Sequence, residues 1–292
     1  MTSDETGNRY TVADIDITRP NVARVYDCFL GGKDNFAADR EFVRQAIEAA
    51  PKAPMAAKNN RAFVRRAVQY LVTQAGITQF LDLGSGLPTQ GNVSEVVHAI
   101  DPMIHVVHVD NDPIVYTHSK ALVTDELTTD IVVGDVRKPA EILADPGVRN
   151  LIDFGKPVGL LLFAIMQHVD DVDNPGSIMA HLRDAMPPGS YLALSSFHRP
   201  GPEFPRQRAA ALEGEKLLAG TLGSGRWREE AEIRSWFGGW EMVEPGLVPI
   251  VEWRPAPGAR IERDEMYLVF VGGVARKREG HTQPPTAAGP NN

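Results

Sequence analysis

The spacing of hydrophobic residues along the chain changes near residue 77. Before that point apolar side chains recur every three to four positions, a spacing that predicts amphipathic helices. The three helical patterns lie within residues 22–30, 42–47 and 63–72. The first has Thr18 and Pro20 as its predicted N-cap and first-turn residues, and Gly31 with Gly32 ends it. Residues 18–76 are therefore predicted to form a helical cap.

From residue 77 onward, short runs rich in leucine and β-branched residues alternate with segments of helix length. This alternation is typical of βαβ units, which build a parallel sheet. The predicted strands are residues 79–83, 104–109, 130–133, 158–163 and 191–195, and the predicted helices are residues 93–100, 113–122 and 177–186. Two more strand-like runs, at 240–253 and 264–276, are separated only by a proline-containing loop, so we expect them to pair antiparallel.

The two ends of the chain lack hydrophobic periodicity. Residues 1–17 are polar and acidic, and residues 276–292 are rich in proline, glycine and small polar side chains. Such segments cannot bury enough apolar surface to become ordered. We therefore expect one α/β domain over residues 18–275, with its core at 77–275, between two disordered ends.

Composition and charge narrow the classes of partner. The 292 residues are 43% hydrophobic, which is enough for a large α/β core. The net charge of −8 repels the negatively charged phosphates of nucleic acids and therefore disfavours nucleic acid as a partner. The single cysteine, Cys28, excludes an internal disulfide, and the start of the sequence lacks the apolar stretch of a secretory signal, which predicts a cytoplasmic protein. No apolar run approaches the ~20 residues of a membrane span, and the oligomeric state is not readable.

A glycine-containing turn suggests a nucleotide site. The segment FLDLGSGLPTQGN, residues 80–92, runs an apolar strand into Gly84 and Gly86, and such a turn lets the backbone approach a bound nucleotide. A dinucleotide fingerprint needs a third glycine, but Thr89 occupies that position. The pattern therefore weakens the interpretation as an NAD(P)-dependent oxidoreductase.

Three carboxylates follow successive predicted strands. Asp82 ends the first strand inside an apolar run, where a carboxylate is costly without a donor or a cation. Asp110 ends the second, roughly 20 residues beyond the glycines, where an acid that binds ribose hydroxyls belongs. Asp135 follows the third and could accept a hydrogen bond from the amine of adenine. An adenosine joined to an amino acid, without phosphate, suits such an acidic edge, although each aspartate could instead cap its own loop or helix.

Longer motifs around these residues resemble a known group of enzymes. LDLGSG with Asp110, GDV at 134–136 and LLFAIMQHVDD at 161–171 resemble the successive motifs of class I S-adenosylmethionine-dependent methyltransferases. The resemblance implies an α/β, Rossmann-like fold with a seven-stranded, mostly parallel sheet and an antiparallel last strand. NVARVYDCFLGGKDNFAADR is similar to the R-x-Y-D-x-x-L-G-G-K-D-N signature of a methyltransferase family with largely unassigned substrates. Pro88 departs from the broader pattern and should stiffen the turn.

The resemblance also implies S-adenosyl-L-methionine as the cofactor and a place for each of its parts. The implied contacts are Asp82, Gly84, Ser85 and Gly86 around the methionine moiety, Asp110 at the ribose, Asp135 with Val136 at the adenine, and Phe163 with Ala164 beneath the ligand. Asn111 is a further predicted cofactor contact. Candidate lid contacts are Tyr26, Lys33 and Asp34, although a helix C-cap followed by a solvated turn is the alternative for this segment.

Methyl transfer from a sulfonium mainly requires that the protein align the acceptor and exclude water. A catalytic base is therefore optional, and His168 is the candidate if the acceptor is a hydroxyl. The alternative is that His168 hydrogen-bonds a loop carbonyl. His105 and His108 should point to opposite faces of a strand, and no cluster has zinc spacing, so we expect no metal.

The sequence thus predicts a methyltransferase that acts on a small molecule, with the cap and residues 200–236 walling the acceptor pocket. The identity of the acceptor is not readable, because the fold leaves that pocket free to vary. A non-catalytic S-adenosylmethionine-binding protein is the second hypothesis. Lys58, Arg61 and Arg65 share one helical face, which could bind an acidic substrate or partner but is more typical of a solvated surface.

Overall fold

The computed structural model describes residues 16–88, 91–122 and 127–279. The α-helices in these ranges are α1 (Val22–Leu30), α2 (Ala37–Ala49), α3 (Ala53–Thr73), α4 (Val93–His98), α5 (Pro113–Leu122), α6 (Pro139–Ala144), α7 (Pro146–Leu151), α8 (Pro175–Ala185), α9 (Pro205–Leu222) and α10 (Glu230–Ser235). The strands are β1 (Gln79–Leu83), β2 (His105–Asp110), β3 (Thr129–Val133), β4 (Gly159–Phe163), β5 (Tyr191–Phe197), β6 (Glu241–Met242), β7 (Val248–Pro249) and β8 (Phe270–Arg276). Thr89 and the predicted disordered residues 1–15 and 280–292 lie outside the described residues.

The strands form one mixed sheet in the order β3-β2-β1-β4-β5-β8. Strands β1 to β5 are parallel, β8 runs antiparallel to β5, and the short strands β6 and β7 both pair with the outer side of β8. The predicted mostly parallel sheet with an antiparallel last strand is confirmed. The strand count is eight instead of seven, because the outermost position is divided into two short pieces. Pro245, between them, has no N–H to offer a ladder.

Helices cover both faces of the sheet, which explains why every residue of β1 is buried. Alternate side chains of β1 enter two separate cores, because successive residues of a strand point to opposite faces. Leu81 and Leu83 pack on the side of α6, α7, α8 and α10, whereas Phe80 packs against residues of α3 and α4. Helix α3 therefore belongs to the layer that covers the sheet.

Helices α1, α2 and α9 build a third and smaller hydrophobic cluster around Val25 and Phe42. Asn21 is the N-cap of α1, and its side chain accepts the N–H groups of Ala23 and Arg24. The predicted N-cap at Thr18 is wrong, because the Thr18 hydroxyl donates to Asp16 instead. A buried ion pair of 2.8 Å between Arg24 and Asp39 joins α1 to α2.

The predicted boundaries differ little from the observed ones. The five parallel strands are confirmed within two residues at either end, and α1 ends at Gly31 in the left-handed region, as the glycine pair predicts. Strand β8 continues through Arg276, and the Lys277 ammonium donates to the carbonyls of Arg183 and Met186. These contacts lie past residue 275, the predicted end of the domain.

Candidate functional site

The carboxyl ends of β1, β2, β3 and β4 open into a cavity of about 760 Å³. This volume is typical of a site for a small organic ligand. The lining includes all ten residues predicted to bind the cofactor: Asp82, Gly84, Ser85, Gly86, Asp110, Asn111, Asp135, Val136, Phe163 and Ala164. The structure brings them together because parallel strands end at the same edge of the sheet. The site lies beside the neighbouring strands β1 and β4, where the strand order reverses its direction.

The two glycines after β1 have different reasons to be glycine. Both adopt left-handed backbone angles, with φ of 71° at Gly84 and 67° at Gly86. A Cβ on Gly84 would lie 2.5 Å from Cγ1 of Ile165, so Gly84 permits close packing of two loops. A Cβ on Gly86 would meet no atom within 4 Å. Gly86 therefore leaves open the space in which a ligand would approach the backbone.

Asp82 is buried at the end of β1 and has a protein partner. Its Oδ2 lies 2.9 Å from Nδ1 of His108 on the neighbouring strand β2. Nε2 of His108 in turn lies 3.0 Å from the hydroxyl of Ser94 on α4. The histidine thus supplies the partner that a carboxylate needs in an apolar strand, while Asp82 still lines the cavity.

Asp110 connects the loop after β1 to the loop between β2 and α5. Its Oδ2 accepts the N–H of Gly86 at 2.9 Å, and its Oδ1 accepts the N–H of Asp112 at 3.0 Å. Asp112, and not Asp110, accepts the N–H of Ile114 in the first turn of α5. Burial raises the pKa of Asp110 to about 6, against the two backbone hydrogen bonds. Each carboxylate oxygen keeps a further lone pair for a hydroxyl donor.

Asp135 lines the cavity beyond β3 and forms an ion pair with Arg137. The Arg137 Nε donates to both carboxylate oxygens at 2.9 Å. Burial opposes ionisation of Asp135, but the hydrogen bonds from Arg137 outweigh it and hold the pKa of Asp135 below its usual value. The carboxylate therefore remains an acceptor at neutral pH.

A buried chain of hydrogen bonds connects the end of β4 to the N-terminal helices. Ala164 has a φ of 54°, which is uncommon for a residue with a Cβ, and its N–H donates to the carbonyl of Ser195 at 3.0 Å. The Ser195 hydroxyl donates to Oδ1 of Asn60 at 2.7 Å, and Nδ2 of Asn60 donates to the Tyr26 hydroxyl at 3.0 Å. The floor of the cavity is thereby held in place from α1 and α3.

The three candidate lid residues lie in different surroundings. Tyr26 lines the cavity, and its hydroxyl donates to the carbonyl of Ala57 at 3.2 Å. Lys33 and Asp34 are exposed, and neither is among the described residues that line the cavity. Oδ2 of Asp27 accepts the N–H of Asp34 and the side-chain amide of Asn35, so this stretch folds back on α1.

His168 lies in a short 3-10 turn after β4 and also lines the cavity. Its Nδ1 lies 2.9 Å from the Ser224 hydroxyl, so its partner is a side chain and not the loop carbonyl of the alternative interpretation. Burial lowers the pKa of His168 to about 4, which keeps the ring neutral at physiological pH. With Nδ1 engaged by Ser224, Nε2 is the ring nitrogen that a bound ligand could use.

The part of the cavity away from the strand ends is apolar. Its wall comes from α1, α2, α9 and the segment that follows α9: Val25, Phe29, Phe42, Ala46, Ala211, Leu217, Leu218 and Trp227. The Trp227 ring stacks on Phe197 with centroids 4.1 Å apart and an interplanar angle of 12°. This compartment has room for an apolar group beside the strand ends.

The comparisons with known proteins agree with this geometry. The sequence matches the model of a family described as S-adenosyl methyltransferase over residues 8–278. The chain belongs to the S-adenosyl methyltransferase family. A solved structure of a candidate methyltransferase from Thermobifida fusca is 38% identical and has a TM-score of 0.84, and the match covers 90% of this chain and 97% of that one. A DUF574 family protein from Streptomyces avermitilis is 35% identical with a TM-score of 0.83, covering 90% and 99%.

A more distant structure shows the fold alone. An O-methyltransferase family protein from Burkholderia thailandensis is 12% identical, with a TM-score of 0.51 and coverage of 94% of this chain and 69% of that one. No protein of curated function matches the sequence at a significant level.

Membership of the family decides between the hypotheses drawn from the sequence. The protein is an S-adenosylmethionine-dependent methyltransferase, its cofactor is S-adenosyl-L-methionine, and the predicted fold class is confirmed. Within the described ranges of this methyltransferase, no group of three or more metal-binding side chains comes together. Among the same residues, no helix combines the length and the hydrophobicity that a bilayer crossing requires.

Sequence reasoning missed two residues of α3 that line the methyltransferase cavity. Asn60 is buried and Arg61 is half-buried. Asn60 precedes Phe63 and Val64 by three and four positions, so it lies on the apolar face of the helix. A polar side chain on the apolar face of a helix indicates a buried hydrogen-bonding role, and this pattern could have identified Asn60. Arg61 was instead interpreted as part of a solvated face.

Proposed function

We propose that this methyltransferase acts on a small-molecule acceptor, and that the adenosine part of its cofactor lies along the carboxyl ends of β1, β2 and β3. The observation that carries this proposal is the single cavity that contains all ten predicted contacts together with an apolar compartment. The net charge of −8 supports a small molecule over nucleic acid as the acceptor.

In this proposal each strand end binds one part of the cofactor. The turn at Gly84–Gly86 and Asp82 surround the methionine moiety, and the ribose hydroxyls donate to Asp110. The adenine lies against Val136, with its amine donating to Asp135. The support is that Gly86 leaves open space before its backbone, and that each carboxylate oxygen of Asp110 accepts one protein N–H and so retains acceptor capacity. Both oxygens of Asp135 already accept hydrogen bonds from Arg137, so the adenine amine would share this carboxylate with Arg137.

We place the acceptor in the apolar compartment, with a hydroxyl directed at His168. When bound, the cofactor would supply an activated methyl group: the acceptor oxygen would bond to the methyl carbon as the S–C bond breaks, which would leave a neutral thioether as the leaving group. The hydroxyl proton passes to Nε2 of His168, which is neutral because burial depresses its pKa. Ser224 supports the role by fixing the opposite ring nitrogen. The surrounding apolar walls exclude water from the reacting atoms.

We also infer that the N-terminal signature identifies the narrower methyltransferase family, and that its residues mainly shape the cap. The supporting contacts are internal to the signature: Asp27 holds Asp34 and Asn35, and Arg24 pairs with Asp39 just beyond it. A Cβ on Gly32 would collide with the Asp27 carboxylate at 1.8 Å. The signature is thus a structural element that closes the turn between α1 and α2.

Two measurements test the proposal. Titration calorimetry with S-adenosylhomocysteine and NAD should show binding of the first alone, and Asp110→Ala should weaken that binding while the fold stays intact. Incubation with a methyl-labelled donor and a metabolite extract should label a small molecule. Unchanged affinity in Asp110→Ala would remove Asp110 from the site, and label found only in macromolecules would contradict a small-molecule acceptor.

A further inference from the structure

The methionine end of the cofactor carries an anionic group that the proposed contacts do not neutralise. S-adenosylmethionine and S-adenosylhomocysteine both have an α-carboxylate beside the α-ammonium. The acidic residues that line the cavity are Asp82, Asp110, Asp112, Asp135, Glu213 and Glu265. These side chains favour the ammonium and the sulfonium but repel the carboxylate. A carboxylate in a partly enclosed site needs a cation or several N–H donors.

Two arginines line the cavity within the described part of the chain, and they lie near different strand ends. Arg137 follows β3, at the proposed adenine end, and forms a bidentate pair with Asp135. Arg61 belongs to α3 and lies beside the loop after β1. A Cβ on Gly91 would be 3.9 Å from Cδ of Arg61 and 3.4 Å from Nη2 of Arg65, and of these two arginines Arg61 alone lines the cavity. Arg61 therefore lies at the end of the cavity where the methionine moiety is placed.

The guanidinium of Arg61 is held by a rigid platform. Its Cζ lies 5.6 Å from the centre of the Tyr26 ring, within the range of a cation–π contact. Tyr26 is fixed by hydrogen bonds with the carbonyl of Ala57 and the side chain of Asn60, both on the same helix as Arg61. A planar guanidinium with several donors matches the two oxygens of a carboxylate, and fixing it in advance lowers the entropy lost on binding.

We propose that Arg61 binds the α-carboxylate of the methionine moiety and that Tyr26 positions its guanidinium. The inference rests on the proposed function, since it requires the cofactor to lie along the ends of β1 to β3. It makes α3 and α1 part of the cofactor site. The helices that cover the acceptor compartment would then also sense whether the cofactor is bound.

Calorimetry with two ligands isolates this contact. S-adenosylhomocysteine and its decarboxylated analogue differ only in the α-carboxylate. We expect Arg61→Gln to weaken binding of S-adenosylhomocysteine roughly 10- to 100-fold, the range for a lost hydrogen-bonded charge contact, and to change binding of the decarboxylated analogue by about twofold at most. Lys58→Gln is the matched control, because Lys58 lies one turn earlier on α3, is exposed and is absent from the cavity lining.

The experiment distinguishes a failure of the Arg61 assignment from a failure of the proposed cofactor site. Equal weakening of both ligands by Arg61→Gln would show a structural role and overturn the assignment, as would unchanged binding of S-adenosylhomocysteine. If thermal unfolding shows that Arg61→Gln does not fold, Arg61→Lys must still weaken S-adenosylhomocysteine more than its analogue, or the assignment fails. Wild-type protein that binds neither ligand would overturn the proposed cofactor site itself.

Discussion

Acidification should weaken binding of S-adenosylhomocysteine through Asp110. The carboxylate accepts N–H groups from Gly86 and Asp112, and burial raises its pKa to about 6 in the unliganded protein. Ribose hydroxyls donate hydrogen bonds, so they favour the ionised carboxylate. As the pH falls through 6, the binding-competent fraction falls with it, and affinity is lost on the acid side.

The magnitude follows from the ionised fraction. With a pKa of about 6, nearly all molecules are ionised at pH 7 and only about one in eleven at pH 5, so the apparent Kd should rise about tenfold. The ligand contributes little to this change, because its α-carboxylate and α-ammonium both keep their charges between pH 5 and pH 7. The control is Asp110→Asn, which should bind more weakly than wild type at pH 7, by roughly tenfold, because an amide presents a weaker acceptor.

Calorimetric titrations at pH 5, 6 and 7 and constant ionic strength measure both proteins. The Kd of the wild type should follow a curve with its midpoint near pH 6, and the Kd of Asp110→Asn should stay nearly constant. A wild-type affinity that is the same at pH 5 and pH 7 would refute the reasoning. The same tenfold loss in Asp110→Asn would show that the pH dependence does not come from Asp110.

Three further predictions concern catalysis and stability. His168→Gln should lower kcat by ~100-fold or more while leaving the Kd of S-adenosylhomocysteine unchanged, since a base acts only on the acceptor; an unaltered kcat in labelled-methyl assays would exclude the base. Gly84→Ala should lower the free energy of unfolding, measured with urea, by ~3 kcal/mol, because its Cβ clashes with Ile165. Gly86→Ala should lower it by only ~1 kcal/mol, the strain of its left-handed backbone. Equal losses in the two variants would argue against this distinction. Asn60→Leu should lower the free energy of unfolding by ~2–4 kcal/mol, because it breaks a buried chain of hydrogen bonds, and Tyr26→Phe should lower it by about 1 kcal/mol. An unchanged urea midpoint in Asn60→Leu would show that these hydrogen bonds contribute little to stability.

The parallel core was predictable because its pattern is local. Strands buried on both faces are short runs of leucine and valine, and β1 was predicted to the residue. The ends of such strands meet at one edge, so acids and glycines at the ends of β1, β2 and β3 could be grouped without coordinates. The two-residue strands β6 and β7 are too short to show any period, which explains the difference in strand count.

The remaining differences come from contacts between distant parts of the chain. Asn60 meets Ser195 across 135 positions, and His168 meets Ser224 across 56, and no local pattern reports either partner. The start of α1 was misplaced for a related reason. Thr18 and Asn21 are both capping residues, but the backbone N–H of Asn21 donates to Asp39 of α2, and this tertiary contact fixes the cap.

The strand-end loops and helix α9 line different parts of the cavity, and this separation affects how the enzyme can diversify. Strand-end loops between residues 82 and 164 surround the space assigned to the donor, whereas Ala211, Gly214 and Leu218 of α9 border the space assigned to the acceptor. Exchanging these small and medium-sized side chains would reshape the second space without disturbing the first. Changes along a single helix could thus adapt one scaffold to many acceptors, while its binding of the common methyl donor stays unchanged.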